Sequence, residues 1–209
     1  MSIETLSVPL FPLPNVVLFP DTLLPLHIFE PRYKEMIADA LAGDRLVGIA
    51  HLRPGWESDY YGTPPVYKLL GVGKIIQSER WPNGRYDILL EGRFRAQIMK
   101  EHLHEGGYRV AQVEILREFL APEDEEEVEA DRARLLKIFH KLLLAMPEET
   151  RHAFREEVWT NPPPGTLADL MAYVFAENAY AKQSILSELN IARRLRLVQV
   201  QLRSLLRLK

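Results

Sequence analysis

The stretch Phe11-Pro-Leu-Pro-Asn-Val-Val-Leu-Phe-Pro-Asp-Thr-Leu-Leu-Pro-Leu-His-Ile-Phe-Glu-Pro-Arg-Tyr33 decides the fold. It is apolar and β-branched, and prolines interrupt it at 12, 14, 20, 25 and 31. No single helix holds it, because each interior proline removes an amide donor and clashes with the preceding turn. Nor does it alternate cleanly enough for one open, half-exposed strand. It reads as short strands over 5–11 and 15–19, a tight connector, and a further apolar run at Leu23–Phe29. His27 is the one titratable side chain in that run and is expected to be packed or capped rather than a metal ligand, since no second ligand lies near it in sequence. Pro31 then opens a helix, PRYKEMIADALAG, with proline at a favoured first position and Gly43 as its C-terminal stop. Tyr33, Met36, Ile37, Ala40 and Leu41 fall on one face of it.

Working outward, residues 45–52 return as a strand. Residues 53–65 form a loop rich in proline and glycine that carries Trp56, Tyr60 and Tyr61. Val66–Glu79 is a long strand whose Gly71 and Gly73 mark a bulge or bend. Trp81-Pro82-Asn83-Gly84 turns it into Arg85–Glu91, since Asn-Gly between two strand-like runs is a strong hairpin signal. Gly92 bends the chain into Arg93–His104, and Tyr108–Phe119 follows a turn at Glu105-Gly106-Gly107. Five or six strands with glycine bends suggest a small closed or half-closed barrel.

The composition changes at Ala121. A long helix with an acidic N-terminal cluster, Glu123–Glu127, begins there. That charge suits the helix dipole, and a partner-binding patch is the rival reading. A short helix is expected over 148–158, stopped by the prolines at 162–164. Thr166 is expected to cap a helix through Asn178, a short segment follows at Ala181–Glu188, and Asn190 is expected to cap the last helix. The expected class is α+β, with a mostly β part over residues 1–120, including one helix near 31–42, and a helical part over 121–209.

The bulk numbers exclude several functions. With 47% hydrophobic and 26% charged residues the chain is an ordinary globular protein, long enough at 209 residues for a substantial core. A net charge of −3 gives no global reason to bind nucleic acid. The absence of cysteine removes disulfides, thiol nucleophiles and cysteine-ligated zinc. No signal peptide or membrane-length apolar run is evident, so the default location is cytoplasmic. There is no phosphate-binding loop, dinucleotide fingerprint or nucleophile elbow. His102 and His104 share one face of a strand, but they lack a third ligand in sequence and read as solvated turn residues. No cofactor or metal is expected. The final helix carries Arg193, Arg194, Arg196, Arg203, Arg207 and Lys209. These cations have three uses open to them: the helix dipole, the acidic stretch at 123–129, or a nucleic-acid backbone.

Three segments carry a family resemblance. FPLPNVVLFPDTLLPLHIFEPRYKEMIADAL resembles the start of the Lon protease N-terminal, substrate-binding domain. GVGKIIQSERWPNGRYDILLEGRFRAQI is similar to its glycine-containing strand, hairpin and LEG-x-x-R continuation. PGTLADLMAYVFAENAYAKQSILSELNIARRLRLVQVQL is similar to its helical end. The resemblance spans about Leu6 to Leu206. It implies a PUA-like β-barrel followed by a helical bundle, and a stand-alone form without the ATPase and serine–lysine protease modules of Lon. The expected function is non-catalytic recognition of unfolded polypeptide or a partner protein, as an adaptor in protein quality control. The candidate contact residues are Trp56, Tyr60, Tyr61 and Trp81, because loop aromatics either pin a loop to the core or meet a partner. RNA binding through the barrel is the alternative, followed by a small-molecule binder.

Overall fold

The computed structural model describes residues 4–59, 62–151 and 162–207. The chain divides into two compact units, Met1–Arg117 and Glu118–Lys209.

The first unit contains β1 (Thr5–Leu13), β2 (Leu23–Ile28), α1 (Pro31–Ala42), β3 (Leu46–His51), β4 (Leu69–Arg80), β5 (Tyr86–Leu103) and β6 (Arg109–Leu116). The strands join in the order β2-β5-β4-β3-β1-β6, and β6 also pairs with β5. Five strands therefore form a closed circuit of hydrogen bonds, with β2 attached beside it. β5 can serve both sides because it is 18 residues long: residues 86–91 pair with β2 and residues 95–103 with β6. β1 and β3 run parallel, so the chain between them must cross over, and that crossover carries β2 and α1.

The opening stretch differs in part from its sequence reading. β1 extends to Leu13, and residues 15–19 join no strand. They are wedged against the sheet. A Cβ added at Gly71 would lie 1.9 Å from the Leu18 carbonyl oxygen, and one at Gly92 would lie 1.9 Å from that of Phe19. These two glycines exist to let backbone meet backbone. The approach is held by bonds from the Asp21 amide to the Gly92 carbonyl, from the Gly92 amide to the Thr22 carbonyl, and from the Thr22 hydroxyl to the Phe19 carbonyl at 2.7 Å. Leu18 and Phe19 are fully buried, which is worth about 1.5–3 kcal/mol for each side chain.

α1 begins at Pro31 as expected and buries Tyr33, Met36, Ile37 and Ala40. They join Phe11, Leu18, Leu24, Ile28, Ile88 and Leu90 in one core cluster. A second cluster, with Val8, Leu10, Leu70, Val72 and Val113, fills the other side of the sheet. The Asn83-Gly84 hairpin forms as read: Gly84 has φ +77°, and the Asn83 side chain accepts the Arg85 amide.

The second unit contains α2 (Val128–Leu144), α3 (Glu148–Arg151), α4 (Pro164–Phe175), α5 (Ala179–Ser187) and α6 (Ile191–Arg207). The expected helix over 148–158 lies largely outside the described residues. α4 starts at Pro164, two residues before the expected Thr166 cap, because proline itself suits the first turn. Asn178 caps α5 by accepting the Ala181 amide, and Asn190 caps α6 by accepting the Arg193 amide. α2, α4 and α6 pack through Leu135, Phe139, Leu167, Met171, Leu195 and Leu202.

Candidate functional site

β2 alternates after all: Leu24 and Ile28 are buried, while Leu23, Pro25 and His27 face out. The alternation is hidden in the sequence because two of its three outward residues are apolar. Register places these residues in rows across three strands. Leu23 aligns with Glu91 and Lys74, Pro25 with Leu89 and Gln77, and His27 with Asp87 and Glu79. Ile76 is the extra residue of a bulge on β4 beside the middle row. Trp81 follows Glu79 by two residues and so continues the same face. The result is an outer sheet face on which Leu23, Phe29, Ile76 and Trp81 are 49%, 59%, 38% and 46% exposed.

This face is organised by one carboxylate. The Trp81 indole Nε1–H donates to Asp87 Oδ2 at 2.8 Å, and His27 Nδ1 lies 2.6 Å from Asp87 Oδ1. The His27 ring in turn stacks on Phe29, with centroids 6.3 Å apart. Hydrogen bonds, first from His27 and then from Trp81, hold the Asp87 carboxyl below its ordinary range. His27 is thus not packed in the core: it is an exposed strut between Asp87 and Phe29. No sequence signal joined residues 27, 81 and 87, because their meeting depends on the β2–β5 register.

Of the four aromatics singled out in sequence, Trp81 lies on this face. Trp56 sits in a short 3-10 turn, Trp56–Asp59, and packs half-buried against the second core cluster. Tyr60 and Tyr61 lie outside the described residues. The structure does not bring Trp56 and Trp81 together.

Other candidate chemistry is occupied. His104 Nδ1 accepts the Gly106 amide, and its ring stacks on Tyr108. Tyr108 donates to Asp39, and burial followed by that bond raises its phenol far above its usual value. The cavity beside Tyr33, Tyr108 and Arg109 has a volume of about 20 Å³, room for a water rather than an organic ligand. On α6, Arg194 is fully buried, pairs with Glu118, and lies 3.2 Å from Asp169. Arg196 bonds Asp124, Glu127 and Asp131. The acidic stretch at 123–129 therefore serves α6, and two of the arginines that suggested nucleic acid are engaged within their own unit.

Comparison with known proteins follows the same outline. The family model for the ATP-dependent protease La (LON) substrate-binding domain matches residues 7–204. The chain is 30% identical over 195 residues to Lon protease of Dictyoglomus thermophilum, covering 91% of this chain and 23% of that protein. It is 30% identical over 190 residues to Lon protease 2 of Myxococcus xanthus, covering 91% and 22%. The chain thus spans under a quarter of the length of these two relatives. Among solved structures, the N-terminal domain of Mycobacterium avium complex Lon protease matches with TM-score 0.73 at 21% identity, over 94% of this chain and 98% of that one. A Lon N-terminal domain protein from Xanthomonas campestris matches with TM-score 0.62 at 20% identity, over 91% and 95%. At these identities the two structures establish the fold.

Proposed function

Since the chain belongs to the Lon substrate-binding domain family, we propose that it is a non-catalytic recognition module whose β2–β5–β4 outer face takes apolar segments of unfolded polypeptide. The observation that carries this reading is the set Leu23, Phe29, Ile76 and Trp81, exposed together on one three-stranded surface. Large apolar side chains displayed side by side mark contact surfaces, whereas single ones are ordinary. Trp81 and His27 are tethered through Asp87, so part of the ordering cost of binding is already met in the free protein. β2 carries Pro25, whose missing amide suits an edge strand and discourages strand-on-strand pairing. Recognition by this face is therefore through side chains. An adaptor that passes captured chains to a separate protease is the cellular role it fits.

The test is capture of a permanently unfolded model protein, reduced and carboxymethylated lactalbumin, by the Phe29→Ser/Ile76→Ser variant. We expect capture to weaken about tenfold or more, as loss of two large apolar contacts implies, with the thermal melt unchanged. Undiminished capture by a folded variant rejects the assignment.

A further inference from the structure

The bottom row of the same face carries a charge pattern that the apolar reading leaves unused. Asp87 and Glu79 are directly opposed on antiparallel β5 and β4. Opposed residues have Cβ atoms about 4.5–5.5 Å apart, and like charges there repel. Asp87 has two partners, His27 and Trp81. Glu79 forms no ion pair among the described residues. Of the surrounding cations, Arg85 lies across from Trp81 on the same face, exposed and paired with neither carboxylate among the described residues, and the others are directed elsewhere. Arg80 lies over the Tyr86 ring on the core-facing side, 5.7 Å from its centroid. Arg93 pairs with Glu91. Lys74 is opposite Glu91, two rows away. Lys34 approaches the hairpin tip, 3.8 Å from a Cβ placed on Gly84. Trp81 stands next to Glu79 on the same face, its N–H committed to Asp87 and its ring half-exposed. An exposed indole beside two carboxylates is the arrangement that attracts an ammonium or guanidinium group, since ring quadrupole and negative charge act together.

We infer that Trp81, Glu79 and Asp87 form a subsite for a lysine or arginine side chain, so that the polypeptide segment taken by this face carries a basic residue beside its apolar ones. This rests on the proposed recognition face and adds a specificity to it. The apolar rows provide contact area, and the acidic row selects among apolar segments by the charge that flanks them. Segments flanked by Asp or Glu are repelled by the same row.

The experiment uses three labelled peptides, identical in a central apolar run and differing at one flanking position: Arg, Gln or Glu. Binding to the full chain is read by fluorescence anisotropy at low and high salt. The Arg peptide should bind about three- to tenfold tighter than the Gln peptide, the range set by one exposed ion pair plus one cation–π contact. The Glu peptide should bind weakest, and salt should narrow the spread. Glu79→Gln should remove the preference for the Arg peptide over the Gln peptide, and Glu79→Lys should invert it. Equal binding of all three peptides overturns the basic subsite and leaves the apolar face standing. Binding of none overturns both. A preference that survives Glu79→Lys overturns the assignment of the subsite to this row.

Discussion

The helical unit and the outer sheet face of the other unit treat charge in different ways. In the helical unit, charges are consumed by the structure: Arg194 is sealed in against Asp169 and Glu118, and Arg196 gathers Asp124, Glu127 and Asp131. On the outer sheet face of the other unit, Glu79 is left opposite Asp87 and four large apolar side chains are left in solvent. The precision of that unit is steric instead, carried by glycines that admit the Leu18 and Phe19 carbonyls. The difference teaches where to look for function. The basic run on α6 resembles a nucleic-acid footprint in sequence, yet Arg194 and Arg196 are structural. The sheet face looks bland in sequence, yet its exposed apolar side chains and Glu79 are unspent.

The largest effect expected from breaking this contrast is at Arg194. Arg194→Met strands the buried Asp169 carboxylate and should cost about 3–5 kcal/mol in denaturant unfolding, with Asp169→Leu added to it restoring much of the loss. If Arg194→Met alone is neutral, the helical unit does not depend on its ion pairs. Gly71→Ala tests the steric counterpart. It drives a methyl into the Leu18 carbonyl and should cost about 3 kcal/mol, near the upper end for overpacking. A near-normal melting temperature would show that the 15–19 segment is not held against β4.

Acid should separate the units next. For Asp131, burial acts upward on the carboxyl, but bonds from Arg196, Arg134 and Gln199 outweigh it and hold the group below the ordinary carboxylate range. A carboxyl depressed in the folded state contributes stability above its unfolded value and loses it as pH falls through the folded one. The Asp131 contribution should therefore be intact at neutral pH and fade from about pH 4 downward. Asp131→Asn should flatten that decline in a pH series of thermal melts; an unaltered slope would remove Asp131 from the linkage. Asp87 is likewise depressed but lies at the surface, about half-exposed, so its protonation should show locally and not in global stability. The Trp81 indole N–H resonance should shift in the same acid range, and the transition should vanish in Asp87→Asn. The smallest expected effect is on stability in Trp81→Ala. Removing this half-exposed side chain should change unfolding by no more than about 0.5 kcal/mol, while binding of unfolded chains falls.

Local chemistry was legible in the sequence. Proline at 31 started α1, Asn83-Gly84 made the hairpin, and Asn190 capped α6. Features set by distant partners were not. Residues 15–19 are as apolar as a strand, and only the glycines at 71 and 92, over fifty residues later, show that they lie against one. β2 concealed its alternation because Leu23 and Pro25 are apolar on the solvent side. Trp81 was singled out for its place in a turn, but its tether to Asp87 and the link onward to His27 depend on a register that no local pattern encodes.

The central claim is that unfolded polypeptide meets the β2–β5–β4 face. It is tested most directly by placing a photo-cross-linking amino acid at Ile76 and, in a separate protein, at Val200, a more exposed apolar position on α6 at 66%. With carboxymethylated lactalbumin as client, the Ile76 position should cross-link and the Val200 position should not. Cross-linking through Val200 with none through Ile76 would contradict the account.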